Sequence, residues 1–286
     1  LGYAIINAHP LGDSFLGLYT LFNAFIHFTV SVIVYRQKLA DKNIFYLISG
    51  LVLTFLTIAV PVQLDGRYVT LVWSAEAALL FWIGRTKAVG FYEKISYVLM
   101  IISFISLIQD WQTVYSTYSV NVTDSRITPL WNINFLTSLL FIGSFLYINI
   151  LFYSKKYATT SISIESLKPV MSVCMGIILA VAAYFAFYLE INTYWNQLYI
   201  DSFQVIKTEN VNYPMNIRNS DLLNFKWIWI INYSILFVSI FGFLNIKKFK
   251  NNKLGGLSIF LNGLALFVFI TFGEYCFSEL RSNYLQ

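Results

Sequence analysis

The residue of this sequence with the clearest chemical potential is an acid at the middle of an apolar segment. Glu76 lies within Tyr68–Ile83, and the nearest charged residues before and after it are Arg67 and Arg85. A carboxylate at that depth of a membrane costs about 2.5–3.5 kcal/mol even on lenient insertion scales. Glu76 must therefore be protonated, paired with another group or turned toward a wet interior. Paired with a histidine it could hold or relay a proton, and unpaired it would be neutral and donate a hydrogen bond to a carbonyl or an asparagine.

A histidine is the second titratable side chain inside an apolar segment. Thr20, Asn23, His27 and Ser31 recur every three or four residues, so on a helix they share one face. One interpretation is hydrogen bonding between helices, at about 0.6 kcal/mol per bond. The other is a polar pathway in which His27 and Glu76 are the titrating members and contact each other. The sequence leaves both open.

Four more acids are predicted at the outer ends of apolar segments: Asp65, Asp110, Glu190 and Glu274. A carboxylate at a helix C-terminus opposes the helix dipole, so four of them invite a shared explanation. They could line a vestibule, contact cations or act on a lipid-linked substrate at the outer face. Alternatively, acids simply collect on the side of the membrane from which basic residues are excluded.

Catalytic and metal-binding motifs are absent from the sequence. Its two histidines, His9 and His27, cannot form a HExxH or His-rich metal site, and its two cysteines give no Cys-rich one. No phosphate-binding loop, dinucleotide fingerprint or nucleophile elbow occurs. We therefore predict no cofactor and no metal, and an enzyme is the less favoured class.

The elements that must position these residues are transmembrane helices. The chain of 286 residues is 58% hydrophobic and only 12% charged, against about 25% charged in globular domains. This composition predicts an all-α protein, a polytopic transmembrane helix bundle formed by one region, 1–286, and built from repeated helical hairpins. About eight spans are predicted from the length needed to cross a bilayer: Ser14–Tyr35, Ile44–Val62, Tyr68–Ile83, Phe91–Ile108, Trp131–Tyr153, Pro169–Leu189, Trp227–Ile246 and Leu254–Tyr275.

The connectors alternate in charge. Those after the first, third, fifth and seventh spans carry thirteen Lys and Arg against three acids, which places them in the cytoplasm by the positive-inside rule. Both ends of the chain then lie outside, as do the long connectors 109–130 and 191–226. In these, Tyr118–Thr123 and Ser202–Lys207 alternate in polarity and could form a small strand pair. The net charge of +5 thus reflects topology and membrane lipids as partners, not nucleic acid.

The first part of the chain resembles a known family. The resemblance is carried by GYAIIN and HP at the start, LGLYTLFNAFIH, VYR, and above all AVPVQLDGRYVT followed by WSAE and WIG. These stretches resemble the bacterial multi-pass membrane family catalogued as domain of unknown function 2339, and the resemblance ends near Trp111. It implies a C-terminal portion of a longer protein in the bacterial inner (cytoplasmic) membrane, and it implies no reaction.

The resemblance also implies that six residues belong to one shared motif, namely Pro61, Asp65, Gly66, Arg67, Trp73 and Glu76. The motif is physically reasonable. Pro61 has no amide hydrogen and so frees a carbonyl near the end of one helix. Asp65 and Gly66 then turn the chain, and Arg67 starts the next helix.

Three functions are compatible with the sequence. The favoured one is a non-enzymatic cell-envelope scaffold or assembly subunit that contacts other membrane subunits. The alternatives are a transporter or proton-coupled component that uses Glu76 and His27, and a membrane enzyme acting on a lipid-linked substrate at the outer face. The candidate functional residues are Glu76, His27, Asp65, Arg67, Trp73, Asp110, Glu190 and Glu274.

Overall fold

The computed structural model describes residues 12–37, 50, 52–55, 57–59, 66–116, 118–119, 125–154, 166–206 and 215–285. Residues 50, 52–55 and 57–59 are helical. The other helices are α1 Gly12–Gln37, α2 Arg67–Thr86, α3 Gly90–Tyr115, α4 Ile133–Tyr153, α5 Lys168–Asp201, α6 Asp221–Leu244, α7 Asn252–Val268 and α8 Glu274–Leu285. Two π-helical stretches, Asn245–Phe249 and Phe269–Gly273, follow α6 and α7.

Five of the described helices are long and apolar enough to cross a membrane. They are α3, α4, α5, the stretch Asp221–Lys248 and the stretch Asn252–Leu285. These helices confirm the all-α class and the membrane-type character of the chain. α1 and α2 coincide with predicted spans but are not among the five, and α2 carries two arginines and a glutamate that lower its hydropathy.

The predicted position of the acids at helix C-termini is wrong for three of them, since Glu274 begins α8 within the helical stretch Asn252–Leu285. Asp110 lies inside α3, five residues before its end at Tyr115, and Glu190 lies inside α5, which continues to Asp201. At 34 residues α5 is about 50 Å long, well beyond the roughly 30 Å of a hydrocarbon core. The segment predicted as the external loop 191–226 therefore begins as helix.

A small strand pair is present, but only one of its two strands was predicted. Gln204–Ile206 pairs antiparallel with Met215–Ile217, with Gln204 opposite Ile217. Of the segment predicted as its partner, Tyr118 and Ser119 lie outside any strand, and residues 120–123 lie outside the described residues. Pairing within one connector closes a much shorter loop, which costs less chain entropy than joining two distant connectors.

The chain divides into two compact units, residues 1–112 with 137–180 and residues 113–136 with 181–286. In the first unit, α2 and α3 form a hairpin whose turn places Ala88 at φ 57°. Gly84 lets the two helices approach closely, because a Cβ there would lie 2.7 Å from the Glu93 amide nitrogen. The most buried large side chains of this unit lie on α2, α3, α4 and the first part of α5 and are Phe81, Met100, Leu107, Phe141, Phe145, Ile148 and Met175.

In the second unit α6 and α7 form another hairpin. Ser239 on α6 donates to Asn262 on α7 at 3.0 Å. Asn245 closes the turn, since its side-chain amide donates to the Asn251 carbonyl at 3.0 Å and accepts from the Asn251 amide at 3.2 Å. Most of the apolar surface of this hairpin is exposed. Only 11% of the most apolar part of Asp221–Lys248 and 6% of that of Asn252–Leu285 are buried.

Candidate functional site

The mid-span acid of α2 contacts a threonine from the preceding helical segment. Thr57 Oγ1 lies 3.0 Å from Glu76 Oε1 and 2.9 Å from the carbonyl oxygen of Leu53. The indole Nε1 of Trp73 donates to the Thr57 carbonyl at 3.0 Å. Trp73 and Glu76 are three residues apart and so share a face of α2, and Thr57 meets both of them.

The sequence explains why the Thr57 carbonyl is available to Trp73. In a regular α-helix this carbonyl would accept from the amide of residue 61, four positions ahead. Residue 61 is proline, which has no N–H to donate. Pro61 itself lies outside the described residues, but the missing donor is a property of its type. The shared motif was expected to leave one carbonyl without its helical hydrogen bond. That carbonyl belongs to Thr57, and the tryptophan of the same motif donates to it.

Thr57 is the member of this cluster that sequence reasoning missed. Its only signals are its position four residues before Pro61 and its hydroxyl. One of the two sequence interpretations paired Glu76 with His27, which stacks on Phe55 with 5.1 Å between ring centroids and 7° between planes. In the described part of the chain, no hydrogen bond or ion pair joins His27 to Glu76.

A second polar cluster, at the start of α2, ties this helix to α3. Thr70 Oγ1 lies 2.6 Å from both Asp110 Oδ2 and Ser106 Oγ. Gly66 precedes the helix at φ 51°, and a Cβ there would come within 3.5 Å of Asp110 Oδ1. Arg67 is the first residue of α2, as predicted, and its guanidinium lies 5.7 Å from the Tyr68 ring centroid. Asp65 lies outside the described residues.

A third cluster, at the α2–α3 turn, was not selected from the sequence. Arg85 Nε lies 3.1 Å from Glu93 Oε1, and both side chains are almost fully buried. The Tyr97 hydroxyl donates to the same carboxylate oxygen at 2.8 Å. The guanidinium also lies over Phe81 and Phe152, 5.3 and 5.1 Å from their centroids. Glu93 was counted only as one of the three acids of the basic connectors, and its partner depends on packing.

Glu190 is the most fully hydrogen-bonded of the predicted acids. It is 4% exposed and accepts from the Tyr115 hydroxyl at 2.6 Å and the Leu130 amide at 2.8 Å. The Asn132 side-chain amide lies 2.9 and 3.0 Å from its two oxygens. By contrast, Glu274 begins α8 in an exposed position, and no hydrogen bond or ion pair of its carboxylate occurs among the described residues.

No protein-family model, curated protein or solved structure matches the chain. Membership of the family named above therefore stays a prediction. Within the described ranges, no group of three or more His, Cys, Asp and Glu side chains could hold a metal ion. What the arrangement offers chemically is hydrogen bonding between helices, in which Asp110 contacts the Thr70 hydroxyl and Glu76 contacts the Thr57 hydroxyl.

Proposed function

We propose that this chain is a non-enzymatic scaffold or assembly subunit of a cell-envelope membrane complex. The observation behind the proposal is that two of its candidate acids accept hydrogen bonds from other elements of the same chain. Glu190 accepts at both oxygens from groups of its own chain, and Asp110 accepts from Thr70. A catalytic acid needs a free side toward its substrate, whereas these acids connect one element to another.

An open helix face supports the second half of the proposal, contact with other membrane subunits. Gly256 and Gly263 on α7 are seven residues apart and both exposed, and an added Cβ at either would meet nothing within 4 Å. Small residues on one face let a second transmembrane helix approach closely, which is a main source of helix association in lipid. The face therefore suits a partner helix.

Substitution of this face tests the proposal. Gly256 and Gly263 are replaced together by leucine, and the tagged protein is extracted with its native lipids into polymer discs for native mass spectrometry. We expect the wild type to retain a second membrane polypeptide at fixed stoichiometry and the variant to lose it at unchanged thermal stability.

The control adds bulk of similar size to a neighbouring face of the same helix. Leu257 and Leu264 are 47% and 49% exposed and are replaced by phenylalanine. This variant should keep the partner. A wild type without any partner, or a glycine-face variant that retains it, would contradict the scaffold.

The proposal includes a location and an orientation. The chain would lie in the bacterial cytoplasmic membrane with eight spans and its basic connectors in the cytoplasm. The charge asymmetry of the connectors supports the orientation. The contacts of Trp73 and Glu76 with Thr57 support the grouping of Pro61, Trp73 and Glu76 in one motif of the family.

A proton-coupled component is the second candidate, favoured by the contact between Glu76 and Thr57 instead of a cation. Reconstituted in vesicles with an internal pH dye, the protein would then acidify the lumen when a proton gradient is applied. Glu76→Gln should abolish that signal, and Glu274→Gln should not. A wild type that gives no more flux than empty vesicles would exclude this candidate.

A further inference from the structure

We propose that Glu76 carries a proton in the folded protein and donates it to Thr57 Oγ1, so that a hydrogen-bond chain runs from the acid through the threonine to the Leu53 carbonyl. The state in question is the protonation of Glu76 in the folded protein. The inference rests on neither functional proposal above, because a scaffold and a proton-coupled protein could both contain this state.

Counting hydrogens gives the first argument. A threonine hydroxyl has one hydrogen to donate and two lone pairs that accept, and a carbonyl oxygen can only accept. Thr57 Oγ1 lies within hydrogen-bond distance of the Leu53 carbonyl, 2.9 Å, and of Glu76 Oε1, 3.0 Å. If the hydroxyl hydrogen points to Leu53, the bond to Glu76 needs a second hydrogen, and only the acid can supply it.

The opposite assignment leaves a conflict. With an ionised Glu76, the hydroxyl hydrogen would turn to the carboxylate. Thr57 Oγ1 and the Leu53 carbonyl oxygen would then face each other at 2.9 Å with no hydrogen between them. Two acceptors at that distance repel, whereas the protonated acid satisfies both contacts at once.

The surroundings of the second carboxyl oxygen give an independent argument. Glu76 Oε2 is buried and has no hydrogen-bond partner among the described residues. The two ion pairs in those ranges belong to Glu93 and Asp201. Arg67 and Arg85 are each nine residues from Glu76, about 14 Å along the helix axis, and His27 stacks on Phe55.

Two other buried acids of the chain show how many donors a buried carboxyl group receives here. Glu190 is surrounded by donors at both oxygens, and Glu93 receives an arginine and a tyrosine. An ionised carboxylate only accepts, so each oxygen needs donors. Glu76 Oε2 has no donor among the described residues, and a neutral carboxylic acid needs fewer donors than an ionised one.

The geometry also holds the two groups in place. Trp73 donates to the Thr57 carbonyl, so the face of α2 that carries Glu76 is fixed against the helical segment that carries Thr57. Trp73 is therefore a positioning residue for the pair. Proline at position 61 lacks the amide hydrogen that a regular α-helix would direct at the Thr57 carbonyl.

Infrared difference spectroscopy tests the proposal without reference to any activity. The protein in lipid nanodiscs at neutral pH is compared with Glu76→Gln, whose side-chain amide can donate the same bond to Thr57. We expect the wild-type-minus-variant spectrum to contain the C=O stretching band of a protonated carboxyl group. Glu93→Gln is the matched control, and its difference spectrum should contain only bands of an ionised carboxylate.

Thr57 is tested in the same way. Thr57→Val keeps the side-chain shape and leaves the carbonyl for Trp73, but it removes the hydroxyl acceptor. The protonated-carboxyl band should move to higher frequency, and Thr57→Ser should restore its position. A difference spectrum for Glu76→Gln that contains only ionised-carboxylate bands would overturn the proposal, as would a protonated band that Thr57→Val leaves in place.

Discussion

At the scale of single residues, the acids of this chain differ in how many hydrogen-bond donors surround them. Glu190 joins Tyr115 at the end of α3, the backbone of Leu130 and the side chain of Asn132 to the middle of α5. Glu274 stands exposed at the start of α8. Both were predicted as members of one outer set, yet only the first organises its surroundings.

The first prediction concerns the stability of these two positions. Glu190→Gln replaces one accepting oxygen by an amide group that donates, so the Leu130 amide or the Asn132 side chain loses its acceptor. A buried donor left unsatisfied costs about 1–3 kcal/mol. We expect Glu190→Gln to lower the free energy of unfolding by that amount, measured by denaturant titration in mild detergent. Glu274→Gln is the control and should change it by less than about 0.5 kcal/mol.

The second residue-scale prediction is a pH dependence outside the membrane spans. The Tyr118 hydroxyl donates to the Asp201 carboxylate, whose other oxygen lies 3.4 Å from Arg126. This hydrogen bond to an anion raises the pKa of Tyr118, because only the neutral phenol can donate. With a folded pKa above the unfolded value of about 10, the stabilisation is fully present below pH ~10 and is lost as the pH rises through the folded pKa.

Tyr118→Phe should therefore be less stable than the wild type by a constant amount up to about pH 10, and the difference should shrink above it. Denaturant titration across this pH range measures the effect. Tyr284, which is 88% exposed, provides the control, and Tyr284→Phe should match the wild type at every pH. A Tyr118→Phe difference that persists unchanged to the highest pH would contradict the assignment.

At the scale of elements, the close approach of α2 and α3 depends on a glycine. A Cβ at Gly84 would lie 2.7 Å from the Glu93 amide nitrogen and 3.1 Å from its Cα, while one at Gly143 on α4 would meet nothing within 4 Å. Gly84→Ala must push two backbones apart beside the buried Arg85–Glu93 pair, and overpacking of this kind costs about 1–3 kcal/mol.

We expect Gly84→Ala to lower the thermal unfolding midpoint in detergent. The control, Gly143→Ala, should raise it slightly or leave it unchanged, because alanine is the better helix former by about 0.8–1.0 kcal/mol. Equal effects of the two substitutions would mean that the α2–α3 spacing is not set at Gly84.

The helices were largely predictable from the sequence because lipid requires every backbone polar group to bond within its own segment. Tyr68–Ile83 was predicted and the helix is Arg67–Thr86. The extension of α5 beyond Leu189 was not predictable, because the lipid constraint ends where polar residues begin. There the helix contacts a loop, as when the Gln197 side chain donates to the Ile127 carbonyl at 3.2 Å.

The candidate site was half predictable for a related reason. Pro61, Trp73 and Glu76 were grouped by resemblance, and the freed carbonyl followed from the chemistry of proline. That Thr57 receives both Trp73 and Glu76 depends on how two helical segments pack side by side. Hydrophobic periodicity within one helix does not contain that information.

At the scale of the whole molecule, the charge of the connectors predicts the membrane orientation of each of the two compact units. Lys87 follows α2 in the first unit, and Lys248 lies in the π-helical stretch after α6 in the second, both exposed. Tyr284 lies near the end of α8, also exposed. The positive-inside rule puts the two lysines in the cytoplasm, and the predicted span order puts the tyrosine on the outer side.

The last prediction is therefore a labelling pattern. The native cysteines, Cys174 and Cys276, are both free and are first replaced by alanine. Single cysteines are then placed at Lys87, Lys248 and Tyr284 and exposed to an impermeant maleimide. On intact cells only the cysteine at position 284 should react, and the other two should react after the membrane is opened, because a charged reagent cannot cross the hydrocarbon core. Reaction at position 248 but not at 284 on intact cells would invert the proposed orientation of the second unit. Reaction at position 87 would do the same for the first, so each unit is tested by itself.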